Sequence, residues 1–452
     1  MKQKTIRLRD YRAIFHLALP IMIQNLFSAA ISSVDVLMLN SVGQSAISSV
    51  SLAVQYSNIL FSVYYGLGTG ATMLCAQYWG KGDLRAIEKV EGIALRFSVL
   101  ISSLFAFPAM LVPELMMKVF TNDPELIGLG AEYLRIVSIS YLCWSVSDIY
   151  LSVLRSIERV KTSTALNVGA LLLNIVLNAV FVLGLFGSPK MGVRGVALAT
   201  TLSRLTQLVA CFLVSAASRD IKIHLDNMFR KGGVLMQDFI RLSLPALGND
   251  IVWGVAFSMY SVIMGHMGTD MVAANSISAV VRNFGCVMCF GIASASGIYV
   301  GKEIGAGHLE DAETGGVLSL RLTVAAGALG GILVGLATPV ILRFASVSDT
   351  AAGYLKIMLL INTYYIMGAA VNTTLIAGLF RAGGDSRFGL ICDTIDMWAY
   401  AVPLGFLAAF VFKLPPMVVY FLLCTDEFVK WPWVLSHYRS KKWLNNITRE
   451  NL

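Results

Sequence analysis

Charge is scarce in this chain. Asp, Glu, Lys and Arg together make up 14% of its 452 residues, where an ordinary soluble protein carries about 25%. A water-soluble fold of this length needs more polar surface, so that class is excluded. Histidine is scarcer still, with five residues dispersed at His16, His224, His266, His308 and His437. Neither HExxH nor GxSxG occurs, so the clustered nucleophile or metal set of an integral membrane enzyme is missing. The seven cysteines are scattered, mostly within apolar runs. Cys286 and Cys289 form a CxxC, but inside a predicted helix with no βαβ context. There they are expected to pack as small apolar residues rather than to carry redox or metal chemistry.

Apolar runs, in contrast, are abundant: 56% of the chain is hydrophobic. Runs of the length needed to cross hydrocarbon, about 20 residues, recur twelve times, at 13–40, 47–78, 92–113, 131–154, 164–186, 193–217, 238–265, 271–300, 316–344, 354–380, 387–412 and 415–437. The expectation is an all-α integral membrane protein. The first run is too long for a signal peptide and lacks a small-residue cleavage pattern, so it reads as the first span. A net charge of +8 invites a nucleic-acid reading, but the distribution of the charge removes it. Alternate loops hold 23 of the 35 basic residues: Lys2 to Arg12, Lys81 to Lys89, Arg155 to Lys161, Arg219 to Arg241, Lys302, Arg381 with Arg387, and Arg439 to Arg449. The opposite loops carry seven. The basic side is expected to be cytoplasmic, with both termini on it. Asn446-Ile447-Thr448 fits a glycosylation acceptor but falls on that side, so it is read as accidental.

The chain also repeats itself at an offset of 225 residues. Ala18-Leu19-Pro20 aligns with Ser243-Leu244-Pro245, and Gly43, Ser51, Gly66, Gly80, Gly82, Glu88 and Arg96 recur without a gap as Gly268, Ser276, Gly291, Gly305, Gly307, Glu313 and Arg321. An internally duplicated membrane protein follows. The expected organisation is an N-lobe at 1–217, a cytoplasmic linker at 218–237, a C-lobe at 238–437 and a cytoplasmic tail at 438–452. Six spans per half make parallel repeats, two six-helix lobes around a central cavity, a geometry suited to alternating access. Nothing resembles a selectivity filter. Gly66, Gly68 and Gly70 interrupt the second run, either for close helix packing or for a bend. Pro20 and Pro245 mark an expected kink in the first span of each lobe.

Ionisable residues inside hydrocarbon are costly and are functional candidates by default. Asp35 is the sharpest, 22 residues into the first span, about 33 Å along a helix. It reads either as a snorkelling residue or as a coupling carboxylate. Its repeat partner is Tyr260, so an ion site built on this acid would be confined to the N-lobe. Asn174 and Asn178 are four apart and share a helix face, with Asn167 a heptad earlier, and Thr200 adds a hydroxyl. One carboxylate with such oxygens suits a proton or a monovalent cation; interhelical hydrogen bonding accounts for the asparagines equally well. Asp393 is the best C-lobe carboxylate, because no cation lies within a helical turn of it in sequence, and Asp250 and Tyr260 are further secondary candidates. Asp148, Glu303, Asp396, Arg204 and Arg282 also fall in or near spans. Asp426-Glu427 with Lys430 reads as a local ion pair, and Arg96 and Arg321 as snorkelling residues near cytoplasmic helix ends. Trp144, Trp253, Trp398, Tyr64, Tyr65, Tyr364, Tyr365, Met259 and Met288, where they line a cavity, favour flat cationic solutes.

With these residues assembled, the chain resembles the multidrug and toxic compound extrusion (MATE) transporters over nearly its whole length. The resemblance rests on Ala18-Leu19-Pro20 with Asp35, the turn from Gly43, Ala76 through Asp83, Asn174 through Asn178, Gly195 through Thr200, Val300 through Gly307, and Arg381 through Asp385. It implies a secondary antiporter, not an enzyme, without cofactors, exporting lipophilic and often cationic small molecules in exchange for H+ or Na+. It implies a monomer in a bacterial plasma membrane, with no nucleic acid as partner. Asp35 matches the family's N-lobe acid, and Asn174 and Asn178 its asparagine pair, which leaves a single carboxylate in that site. The span-seven acid of other members is matched here by Trp253, which favours the N-lobe. The rival within the same superfamily is a lipid-linked oligosaccharide flippase, which needs a strongly cationic cavity where few paired arginines are seen.

Overall fold

A computed structural model describes residues 8–450 except 41, 219, 231 and 346; the side chains of 8–10, 31–37, 39, 40 and 225 lie outside the described residues as well. No strand occurs among them. The helices are α1 (Leu8–Asn40), α2 (Gln44–Lys81), α3 (Leu84–Leu111), α4 (Pro113–Lys118), α5 (Pro124–Ser156), α6 (Val160–Leu183), α7 (Gly192–Ala217), α8 (Gly233–Gly265), α9 (Thr269–Gly305), α10 (Leu309–Phe344) and α11 (Asp349–Thr373). After them come α12 (Ser386–Ile395), α13 (Val402–Phe406), α14 (Pro416–Leu423), α15 (Asp426–Val429) and α16 (Trp431–Arg439). Wider π-helical turns at Thr374–Phe380, Asp396–Ala401 and Leu407–Val411 carry α11, α12 and α13 onward without a break.

Eleven described helices are long and apolar enough to cross a membrane, and they coincide with the first eleven apolar runs. The twelfth run is broken into α14, α15 and α16. Asp426, Glu427 and Lys430 interrupt the apolar sequence there, and Pro432, which has no backbone N–H, sits in the first turn of α16. The helix ends follow local chemistry. The side chains of Asp83, Asp123 and Ser348 accept backbone N–H groups at the starts of α3, α5 and α11. Gly82 and Gly307, equivalent in the repeat, both adopt left-handed backbone, with φ of 79° and 81°.

The described chain divides into two compact units. The first covers Ile23–Ser243; the second comprises the described residues on either side of it. Inside the first, α2, α3 and α5 pack pairwise, and α7 joins α5 and α6. Inside the second, the repeat-equivalent α9, α10 and α11 pack pairwise in the same way. The duplication is therefore one of packing as well as of sequence. Each unit is completed by a segment of the opposite repeat, because α1 changes unit after Met22 and α8 after Ser243. A Cβ on Gly70 would lie 1.8 Å from Ser243 Oγ, and one on Gly291 would lie 2.4 Å from Met22 Cγ. Here glycine permits the approach of α8 and of α1.

Of the two readings of the glycines in the second run, packing agrees with the structure: α2 runs through Gly66, Gly68 and Gly70, and a Cβ on Gly68 would lie 3.0 Å from Ser152 Oγ. Arg96 does not snorkel: its guanidinium donates to the backbone carbonyls of Met228 and Arg230, which the segment after α7 leaves without helical partners. The residues after α16 are built into the fold, with Trp443 1% exposed beside Leu379 and Phe380. All seven cysteines are buried free thiols, as packing residues would be.

Candidate functional site

Two polar constellations lie within the apolar helices, one in each unit. In the first unit, Asn174 and Asn178 face the same way because four residues return a helix to one face. Asn178 Nδ2 donates to Asn174 Oδ1 at 3.1 Å, and Asn174 Nδ2 donates to Thr200 Oγ1 of α7 at 3.4 Å. Asn174 is 7% and Asn178 1% exposed. Three of the four residues expected to form an ion site are thus adjacent. The fourth, Asp35, belongs to α1, and its side chain lies outside the described residues. Elsewhere in the same unit, the Arg204 guanidinium lies over the Trp144 ring, 4.2 Å from its centroid, and donates to Gln207 Oε1 at 3.0 Å. Gln207 in turn donates to Asn167.

In the second unit the secondary candidates converge. Lys430 Nζ lies 3.2 Å from Asp393 Oδ1, 3.3 Å from Glu427 Oε2 and 3.6 Å from Asp396 Oδ2. Asp393, Asp396, Glu427 and Lys430 are each at most 5% exposed, and Asp426 is fully buried. Asn249 donates to Asp393 Oδ2 at 2.7 Å, while Arg381 binds Asn249 Oδ1 at 2.9 Å and Asp250 Oδ1 at 2.8 Å. The Tyr260 hydroxyl donates to Asp426 Oδ2 at 3.0 Å, and that of Tyr365 to Glu427 Oε1 at 3.5 Å. Asn372 Nδ2 donates to Glu427 Oε2 at 2.6 Å.

Sequence spacing found the Glu427–Lys430 pair but not its role as the hub for Asp393 and Asp396. Asp393 does have a cation beside it, supplied by another helix. Asp396 is the group sequence reasoning undervalued. It opens a π-helical turn, a geometry enriched at functional sites, and both of its carboxylate oxygens are buried without a hydrogen bond. Lys430 lies beyond hydrogen-bond reach of it. Three carboxylates, those of Asp393, Asp396 and Glu427, thus face a single buried ammonium.

Beside this network the second unit has an aromatic pocket. Phe257, Tyr260, Asn275, Arg282, Tyr365 and Leu423 contribute to its lining. Trp253 packs against Phe257 with ring centroids 4.2 Å apart and ring planes tilted by 46°.

Comparison with known proteins agrees with this architecture. The family model for MatE matches residues 20–180 and 245–407. Those two segments begin at Pro20 and Pro245, one repeat apart. An uncharacterized transporter, YisQ, of Bacillus subtilis is 22% identical over 96% of this chain and 95% of its own. A probable multidrug resistance protein NorM of Bradyrhizobium diazoefficiens is 25% identical over 87% and 85%. Multidrug and toxin extrusion protein 1 of Xenopus tropicalis is 26% identical over 90% and 70%. Among solved structures, a MOP superfamily transporter from Pyrococcus furiosus shares the fold with a TM-score of 0.86 at 18% identity, covering 96% of this chain and 97% of that one. With a family match on each of its two repeats and the fold of such transporters along nearly its full length, the chain belongs to the MatE family of multi-pass membrane transporters.

Proposed function

We propose that this transporter is a monomeric secondary antiporter that exports lipophilic, often cationic compounds in exchange for H+ or Na+ by alternating access. Efflux as the direction is supported by the extrusion in the name of the Xenopus tropicalis relative. The observation that carries the exchange is the surplus of carboxylates around Lys430. Asp393, Asp396 and Glu427 share one buried ammonium, and Asp426 is buried next to Glu427 in the chain; this surplus of negative charge favours uptake of a proton or a small cation. Asp396, with both oxygens free of hydrogen bonds, is the group to receive it.

Asp35 with Asn174, Asn178 and Thr200 is the second coupling site in this proposal. The adjacency of the two asparagines and Thr200 supports it, since their oxygens can surround a monovalent cation held by one carboxylate. A flippase for a pyrophosphate-linked lipid would call for several converging cations. Among the described residues that line the aromatic pocket, Arg282 is the one cation, so export of small molecules is favoured.

The test is ethidium flux in proteoliposomes with H+ and Na+ gradients imposed separately. Flux that follows one of the two gradients and fails in Asp396→Asn, at matched reconstitution, is the expected result. Absence of flux under both gradients overturns the antiporter, and unimpaired flux in Asp396→Asn removes this carboxylate from the coupling.

A further inference from the structure

Arg282 of α9 stands apart from the other charges of the second unit. Its guanidinium carbon lies 5.0 Å from the Phe257 ring centroid and 5.5 Å from that of Tyr365. The group therefore lies over two aromatic rings. No carboxylate lies within 4.0 Å of it among the described residues, whereas Lys430 has three and Arg381 has Asp250. A guanidinium carries five N–H donors in a planar fork. Ring faces meet its positive charge but accept few of its hydrogens, so most of its donor capacity is unused.

The neighbouring acids do not fill that need. The hydroxyls of Tyr260 and Tyr365 donate to Asp426 and Glu427, so both tyrosines turn their polar ends toward the carboxylates and leave ring surface to the pocket. Tyr420 is likewise engaged, with Asn362 and Ser278. What the pocket offers is apolar surface from Phe257, Tyr260 and Leu423, the amide of Asn275, and one cationic fork.

We infer that this pocket binds an amphiphilic organic monoanion: a carboxylate or sulfonate on Arg282, with a flat apolar body against Phe257 and Tyr260. A carboxylate can accept two parallel N–H bonds from one guanidinium, and a single Arg282 matches a single negative charge. The inference deepens the export reading, on which it rests for the role of the ligand as cargo, by adding anions to the substrates.

The experiment is equilibrium dialysis of 2-naphthoate, 2-naphthalenemethanol and 2-naphthylmethylammonium against the full-length protein in phosphatidylcholine nanodiscs, with empty nanodiscs subtracted. Wild-type protein is expected to hold 2-naphthoate about tenfold more tightly than the other two probes, or more. Arg282→Gln removes that preference and leaves the alcohol unchanged, whereas Arg282→Lys retains part of it. Tighter or equal binding of the ammonium by wild-type protein overturns the inference and makes Arg282 a remote counter-charge of the acid network. Unchanged 2-naphthoate binding in Arg282→Gln overturns it too. The wild-type ranking decides the matter even where a variant fails to fold. Nanodiscs containing phosphatidylglycerol separate two sources of the anion: competition in wild type but not in Arg282→Gln assigns the pocket to a lipid headgroup, and no competition assigns it to a soluble amphiphile. Binding is read without any gradient, so its failure leaves the antiporter standing, and absence of gradient-driven flux leaves the binding result intact.

Discussion

The Lys430 ammonium lies 3.2 Å from a carboxylate oxygen of Asp393, a residue 37 positions earlier in the chain. Both groups are 5% exposed or less, and Asp396 and Glu427 share the same ammonium. Removal of one partner from a buried ion network strands the others in low dielectric, at a cost of about 3–5 kcal/mol. Lys430→Met is therefore expected to lower thermal stability in detergent strongly at neutral pH. The deficit shrinks as pH falls, because protonation of the stranded carboxylates removes the charge that lost its partner. A deficit that stays constant between pH 8 and pH 5 would show that the lysine only packs.

Asp35→Asn is expected to abolish gradient-driven transport while the protein stays folded and still binds substrate. The amide keeps the shape of the acid but neither releases a proton nor balances a cation. Wild-type flux at matched expression would leave coupling to the carboxylates around Lys430.

Asn178→Ala separates the two coupling ions. Where Na+ drives export, loss of an oxygen ligand weakens the dependence on Na+. Where H+ drives it, the change mainly shifts the pH profile through the surroundings of Asp35. The slightly favoured ion is H+, since one carboxylate needs only a proton to become neutral. Transport that follows a Na+ gradient at equal pH on both sides reverses that preference.

Gly70 and Gly128 form a matched pair. A Cβ at Gly70 would meet Ser243 Oγ at 1.8 Å and its Cα at 3.1 Å, whereas one at Gly128 would meet nothing within 4 Å. Gly70→Ala is expected to destabilise by about 1–3 kcal/mol through overpacking. Gly128→Ala, in exposed helix, is expected to stabilise by about 0.4–1 kcal/mol. Thermal unfolding of both variants in one detergent checks the contrast, and equal effects would refute the close approach of α8 to α2.

Membrane orientation is testable with an impermeant thiol reagent, because the seven native cysteines are buried. Cysteines introduced at Asp83, Lys161, Arg230 and Arg387 are expected to react only from the cytoplasmic side. Those at Ser45, Pro124, Lys190 and Asp349 are expected to react from outside. Labelling of Asp83→Cys from outside would invert the assignment drawn from the basic loops.

The sequence alone sufficed for the first eleven spans, for the duplication and for the shared face of Asn174 and Asn178. All three follow from local rules: hydrocarbon thickness sets the length of an apolar run, side-chain identity marks a turn, and four residues complete a helical turn. Only tertiary structure decided that Lys430 serves Asp393 and Asp396 as well as Glu427, that Asn249 and Arg381 tie Asp250 into the same network, and that Arg282 lies over the rings of Phe257 and Tyr365 with no carboxylate beside it among the described residues. These relations join different helices, and the angle at which each helix turns its polar residues toward a neighbour is set by packing. An apolar run reports that a segment enters the membrane, but it holds almost no information on which segment it will meet there.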